Sequence, residues 1–150
     1  MTKANLQEEL KQSMLAKNEL KTSVLRMLIS AINYYEIQKG GAGYSATEED
    51  VLSAIGSQVK QRRDSIQEYN KANRPELSQK EQQELDILLT YMPEQMGEEE
   101  VKKLVEEAVS QTGATTIQDM GKVMGTLMPK VKGKADASLV SNLVKQALTS

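Results

Sequence analysis

Cysteine and histidine are both absent from these 150 residues. Their absence excludes disulfide frameworks, thiolate zinc sites, Cys or His nucleophiles and every Ser-His-Asp arrangement. It also leaves no sign of an oxidising compartment. Tryptophan and phenylalanine are missing too, and five tyrosines supply the whole 3% aromatic share. Single-strand readers of the RNP or OB kind stack successive bases on aromatic faces, so the composition argues against that class. Nor does one sign of charge dominate, since 19 basic and 21 acidic side chains leave a net −2. That excludes a globally basic nucleic-acid binder but not a local basic patch. No apolar run approaches the ~20 residues of a membrane helix. The polar, acidic start MTKANLQEEL is unlike a secretory signal. The expectation is a cytoplasmic protein without membrane contact, bound metal or cofactor.

Apolar residues recur at helical spacing along nearly the whole chain, and no alternating strand-length run interrupts them. The pattern Asn5-Leu6-Gln7-Glu8 reads as a capping box before Leu6, Leu10 and Met14. A second stripe, Val24, Leu25, Leu28, Ile29, Ile32 and Tyr35, runs into Gly40-Gly41-Ala42-Gly43, where glycine supplies a helix end. Thr47-Glu48-Glu49-Asp50 opens a third helix with acids in its first turn, and Asn73-Arg74-Pro75 breaks it. Ser78-Gln79-Lys80-Glu81 reads as the capping box of a fourth helix that Pro93 stops. Beyond it lie three more stripes: Val101 to Val109 closed by Gly113, Met120 to Met128 ended by Pro129, and Leu139 to Leu148 capped by Asp136. The predicted class is all-α. An N-terminal subdomain of about four helices, residues 1–93, is followed by a three-helix C-terminal subdomain, residues 94–150.

Charge divides unevenly along this framework. Residues 1–93 carry a net −1, residues 94–116 a net −4, and residues 117–150, with five lysines against two aspartates, a net +3. In the last segment Pro129-Lys130-Val131-Lys132-Gly133-Lys134-Ala135-Asp136 alternates lysine with small or apolar residues between two capped helices. Phosphate oxygens need cations on a backbone that allows close approach, and lysine with glycine supplies both. A solvated loop whose lysines only keep it soluble is the alternative. Arg62 sits on the apolar stripe of the third helix, three residues after Val59 and four before Ile66. A guanidinium there needs an acid, and Glu81 and Glu84 are the candidates. Glu98-Glu99-Glu100 fan around a helix and cannot converge on one metal ion. Gly121 and Gly125, four apart on the sixth helix, suggest a close helix–helix approach or room for an RNA backbone. Nothing resembles a nucleophile–base pair or a glycine-rich phosphate loop, and no catalytic residue is assigned.

Several strings resemble a known family. Val24-Leu25-Arg26-Met27-Leu28, Gln61-Arg62-Arg63, Arg74-x-x-Leu77, Glu81-x-x-Glu84-Leu85-x-x-Leu88 and Tyr91-Met92-Pro93-Glu94-Gln95 resemble the YqeY-like family in its N-terminal half. Asp119-Met120-Gly121-Lys122-Val123-Met124 and Lys132-Gly133-Lys134-Ala135-Asp136-x-x-Leu139-Val140-x-x-Leu143-Val144 are similar to the tail of GatB, a subunit of the glutamine-dependent aspartyl/glutamyl-tRNA amidotransferase. Met92 and Gly97 depart from the family pattern. The resemblance implies a two-part helical protein whose C-terminal helices are similar to a tRNA-contacting module. The implied partners are tRNA and a tRNA-processing protein. The implied role is a non-catalytic tRNA-binding or tRNA-associated accessory. Participation in tRNA-dependent amidation, a carbon–nitrogen ligase activity with glutamine as nitrogen donor, and a helical protein–protein adaptor are the alternatives. The residues expected to meet tRNA are Lys122, Lys130, Lys132, Lys134 and Lys145, the chain's concentrated positive charge.

Overall fold

The computed structural model describes residues 1–149. Among them the regular secondary structure is entirely helical: α1 (Lys3–Leu15), α2 (Glu19–Gly40), α3 (Glu48–Lys71), α4 (Pro75–Leu89), α5 (Glu98–Thr112), α6 (Met120–Val131) and α7 (Ala137–Thr149), with 3₁₀ turns at Gly41–Gly43 and Ile117–Asp119. The chain separates into two compact units, Met1–Met92 and Pro93–Ser150.

In the first unit α1 packs on α2 and α3 on α4, with α2 touching α3 and α4 as well. The stripes supply the core: Leu6 from α1, Val24, Leu25, Leu28 and Ile32 from α2, Val51, Ile55 and Val59 from α3, and Leu85 and Leu88 from α4. Each such aliphatic side chain contributes about 1.5–3 kcal/mol by leaving water. Ser13 and Thr22 hide a hydroxyl pair between α1 and α2, 2.9 Å apart. Two helix starts differ from the sequence expectation. The first box is Thr2 with Asn5, not Asn5 with Glu8: Thr2 Oγ1 accepts from Asn5 N, and Asn5 Oδ1 accepts from Thr2 N at 2.8 Å. Asn5 is itself a good cap, so a cap three residues upstream is masked in the sequence. Helix α4 begins at Pro75, not at Ser78, because proline fixes the φ that the first helical residue needs. Ser78 is therefore inside the helix and buried.

Between α2 and α3 the chain turns through Gly41 at φ 66 and is tied back by two acids. Glu36 accepts from Ala46 N at 2.8 Å and pairs with Lys3 at 2.6 Å. Asp50 accepts from Tyr35 Oη at 3.1 Å, Tyr44 Oη at 2.5 Å, and Thr47 N and Oγ1 at 2.9 Å each. Lys39 Nζ lies 5.5 Å and 5.7 Å from the Tyr35 and Tyr44 ring centres.

The second unit packs α5 on both α6 and α7. Its own core joins Val101, Val105 and Ala108 to Val123, Leu127 and Val131, and to Val140, Leu143, Val144 and Leu148. Gly113 ends α5 in the left-handed conformation, φ 66, as its position after the last stripe residue requires. Helix α6 runs two residues beyond Pro129, where the sequence suggested an end. Proline in the last turn removes one hydrogen bond, but Val131 is buried and the Lys132 N–H still reaches Met128 O at 2.8 Å. Gly121 and Gly125 are exposed, and a Cβ at either would meet no neighbour within 4 Å. They do not mark a close helix contact.

Candidate nucleic-acid interface

The loop from Lys132 to Asp136 is short because its backbone is used several times over. Lys134 N and Ala135 N both donate to Val131 O, at 2.8 and 3.1 Å. Gly133 takes φ 76, which glycine tolerates without strain. Outward-facing carbonyls are claimed by the segment after Pro93: Gln95 Nε2 donates to Gly133 O at 3.0 Å, and Met96 N to Lys134 O at 2.7 Å. At the loop's exit Asp136 caps α7, accepting from Ser138 N at 3.0 Å. That carboxylate occupies a donor that a phosphate at this helix start would otherwise use.

Lys132 and Lys134 are exposed within this pinned stretch, and Lys130, expected in the loop, is exposed on the last turn of α6, which runs past Pro129. Lys134 also lines a cleft of about 260 Å³ with Glu94, Gln95, Met96 and Glu100. The two carboxylates of that lining repel an incoming phosphate, since like charges raise its energy there. Lys122 and Lys145 are exposed as well, but they lie elsewhere in the unit. Lys122 precedes Lys130 by eight residues of α6, about 12 Å along the axis. Helix α7 returns to touch the Ile117–Asp119 turn, so Lys145, two turns into α7, lies toward the Lys122 end. The five lysines thus form two groups, with three at the α6–α7 loop and two toward the opposite end of the hairpin. Near Lys122 the Asp119 carboxyl is held below its usual range, chiefly by the Thr115 and Thr116 backbone N–H groups and further by the Lys122 charge.

This arrangement can neutralise phosphates and orient an anionic backbone. Among the described residues no group of His, Cys, Asp or Glu could hold a metal ion, and no helix is long and apolar enough to cross a membrane. Sequence reading missed the part that the Gln95–Met96 segment plays in fixing the lysine loop. The two stretches are far apart in sequence, and the contacts end on loop carbonyls, which no side-chain pattern in the loop encodes.

Comparison with known proteins covers nearly the whole chain. The family model described as "Yqey-like protein" matches residues 3–148. The chain is 31% identical over 150 residues to "Altered inheritance of mitochondria protein 41, mitochondrial" of Saccharomyces cerevisiae, covering 94% of this chain and 80% of that protein. Proteins of the same name from Vanderwaltozyma polyspora and Pyrenophora tritici-repentis are each 32% identical, covering 93% and 95% of this chain and 77% and 78% of theirs. With the match running through both helical units, the chain belongs to the YqeY-like family.

Proposed function

We propose that this protein is a non-catalytic tRNA-binding accessory that holds the phosphate backbone at its α6–α7 loop. One observation carries the reading. Lys130 is exposed on the last turn of α6, and Lys132 and Lys134 on the pinned loop that follows, all within the one segment of net positive charge. Fixing the loop before binding lowers the ordering cost that flexible lysines would otherwise add. The relation of the C-terminal strings to the amidotransferase tail supports tRNA as the anion. We place the protein in the cytoplasm. The relatives' names assign those proteins to mitochondria, and either compartment offers tRNA.

Purified protein is expected to bind total tRNA at low salt and release it at high salt, since each neutralised phosphate contributes roughly 0.7–0.9 to the log–log slope. Replacing Lys130, Lys132 and Lys134 together by Ala is expected to flatten that slope by roughly two to three units. A matched control, Lys11→Ala with Lys60→Ala and Lys80→Ala, removes equally exposed charge from the first unit. Unchanged binding by the loop variant, or loss caused by the control alone, would overturn the assignment. A specific observation favours one other reading, a helical adaptor: Met14, Leu15 and Met27 are 50%, 71% and 47% exposed. Absence of tRNA binding even at low salt would transfer the proposal to that reading.

A further inference from the structure

We propose that the cleft between α2 and α3 is a binding site for an adenine base. The two helices lie antiparallel, with Tyr35 bonded to Asp50 near one end and Met27 against Arg62 near the other. Alongside these contacts, residues of both helices line an open cleft of about 380 Å³, at the small end of the range for sites that take one small molecule. Its lining includes the small side chains Ala31 and Ala54, whose size leaves room where a larger pair would close the gap. From α2 come Tyr34 and Gln38, and from α3 Ser53, Ser57, Gln58 and Gln61.

Three features select the ligand class. First, Tyr34 lines the cleft and is 64% exposed, and its hydroxyl is oriented by Gln38 Nε2 at 3.0 Å. An oriented, half-open ring offers a stacking face for a planar heterocycle. Second, Ser53, Ser57, Gln58 and Gln61 make no side-chain hydrogen bond to another described residue. Ser53, Ser57 and Gln61 follow at four-residue spacing and so share one face of α3. Their donors and acceptors remain available for a ligand. Third, the lining contains no Lys or Arg, and its one acid, Asp50, already accepts four hydrogen bonds. A neutral ligand fits and a phosphate-led one does not. Among bases, a glutamine amide presents the adjacent donor and acceptor that adenine's N7 and N6 edge matches, whereas guanine is read by Arg or Lys. The site is separate from the lysine loop and does not rest on it.

The test is a titration of the ¹⁵N-labelled full chain with adenosine, following the side-chain amides of Gln38, Gln58 and Gln61. Saturable shifts in these resonances are expected. Tyr34→Ala is expected to weaken binding roughly tenfold, the loss of one base–aromatic stack, while Tyr34→Phe retains it. Because Tyr34 is exposed, both variants keep the fold. A short oligoadenylate separates the sources of the base: tighter binding than adenosine identifies a base presented by RNA, and equal binding a free nucleoside. The Lys130, Lys132 and Lys134 variant is expected to keep the adenosine response, so failure of the tRNA reading leaves this site standing. Unmoved amides, indifference to Tyr34→Ala, or an equal response to guanosine or uridine would overturn the proposal.

Discussion

The Nε of Arg62 lies 2.8 Å from Glu84 Oε2, joining α3 to α4 through two residues that are both more than nine-tenths buried. Glu81 Oε2 stands 3.5 Å from the same Nε. Neither carboxylate is aligned well enough for a hydrogen bond to Nε, so the attraction is charge with charge rather than a directional bond. The cluster holds one positive group against two negative ones, and Met27 Sδ is 3.5 Å from Nη2.

Arg62→Ala should therefore be costly. It strands the Glu84 carboxylate, and Glu81 beside it, without a counter-charge, and breaking a buried pair in this way costs about 3–5 kcal/mol. Lys60→Ala, on the exposed side of the same helix, should stay within about 0.5 kcal/mol. Urea unfolding of the two variants measures the contrast, and matching midpoints would contradict the buried cluster.

Acid should loosen the first unit through Asp50 and Glu36. The Asp50 carboxyl is held well below its usual 3.8 by the Tyr44 hydroxyl first and then by the Thr47 backbone N–H. Lys3, followed by the Ala46 N–H, lowers Glu36 from 4.5. A carboxyl lowered in the folded state adds stability that is complete above its unfolded value and is lost as pH falls through the folded one. Stability should therefore decline from about pH 4.5 downward. Asp50→Asn should start less stable at neutral pH and show a shallower acid decline, readable by thermal melts across pH. An unchanged acid limb would contradict the role given to Asp50.

Two glycines of the second unit should respond in opposite directions to alanine. Gly113 is left-handed at φ 66, so Gly113→Ala should cost about 1 kcal/mol or more. Gly125 is interior to α6, with open space where its Cβ would go. Gly125→Ala should stabilise by up to about 1 kcal/mol, because glycine is the poorer helix former. Shifts of melting temperature with opposite sign are the expected readout.

Within the lysine loop the three side chains should not be equivalent. Lys134 shares its cleft with Glu94 and Glu100, whereas Lys130 stands on the last turn of α6 outside that lining. Lys130→Ala should weaken tRNA binding more than Lys134→Ala in the same low-salt titration. Glu94→Gln with Glu100→Gln should strengthen it by removing two negative charges from the cleft that Lys134 lines. The reverse order would show that the acids do not shield Lys134.

Residue order alone determined the all-helical class, most helix ends and the burial of Arg62 against Glu81 and Glu84. These follow from local rules: apolar periodicity, glycine after a final stripe, and a charge that must be matched where the stripe buries it. The YqeY-like membership was legible as well, in strings spread over the whole chain. Tertiary structure decided what local rules leave open. It moved the α1 cap to Thr2, where two cap-competent residues competed, and started α4 at Pro75. It left Gly125 open to solvent instead of against a helix, and it divided the five lysines between two places. It also gathered Tyr34, Gln38, Ser57 and Gln61 around one cleft. None of these is written in the spacing along a single helix, because that spacing fixes which residues share a face. Which other face it meets, and what is left uncovered between them, is set by packing between residues far apart in the chain.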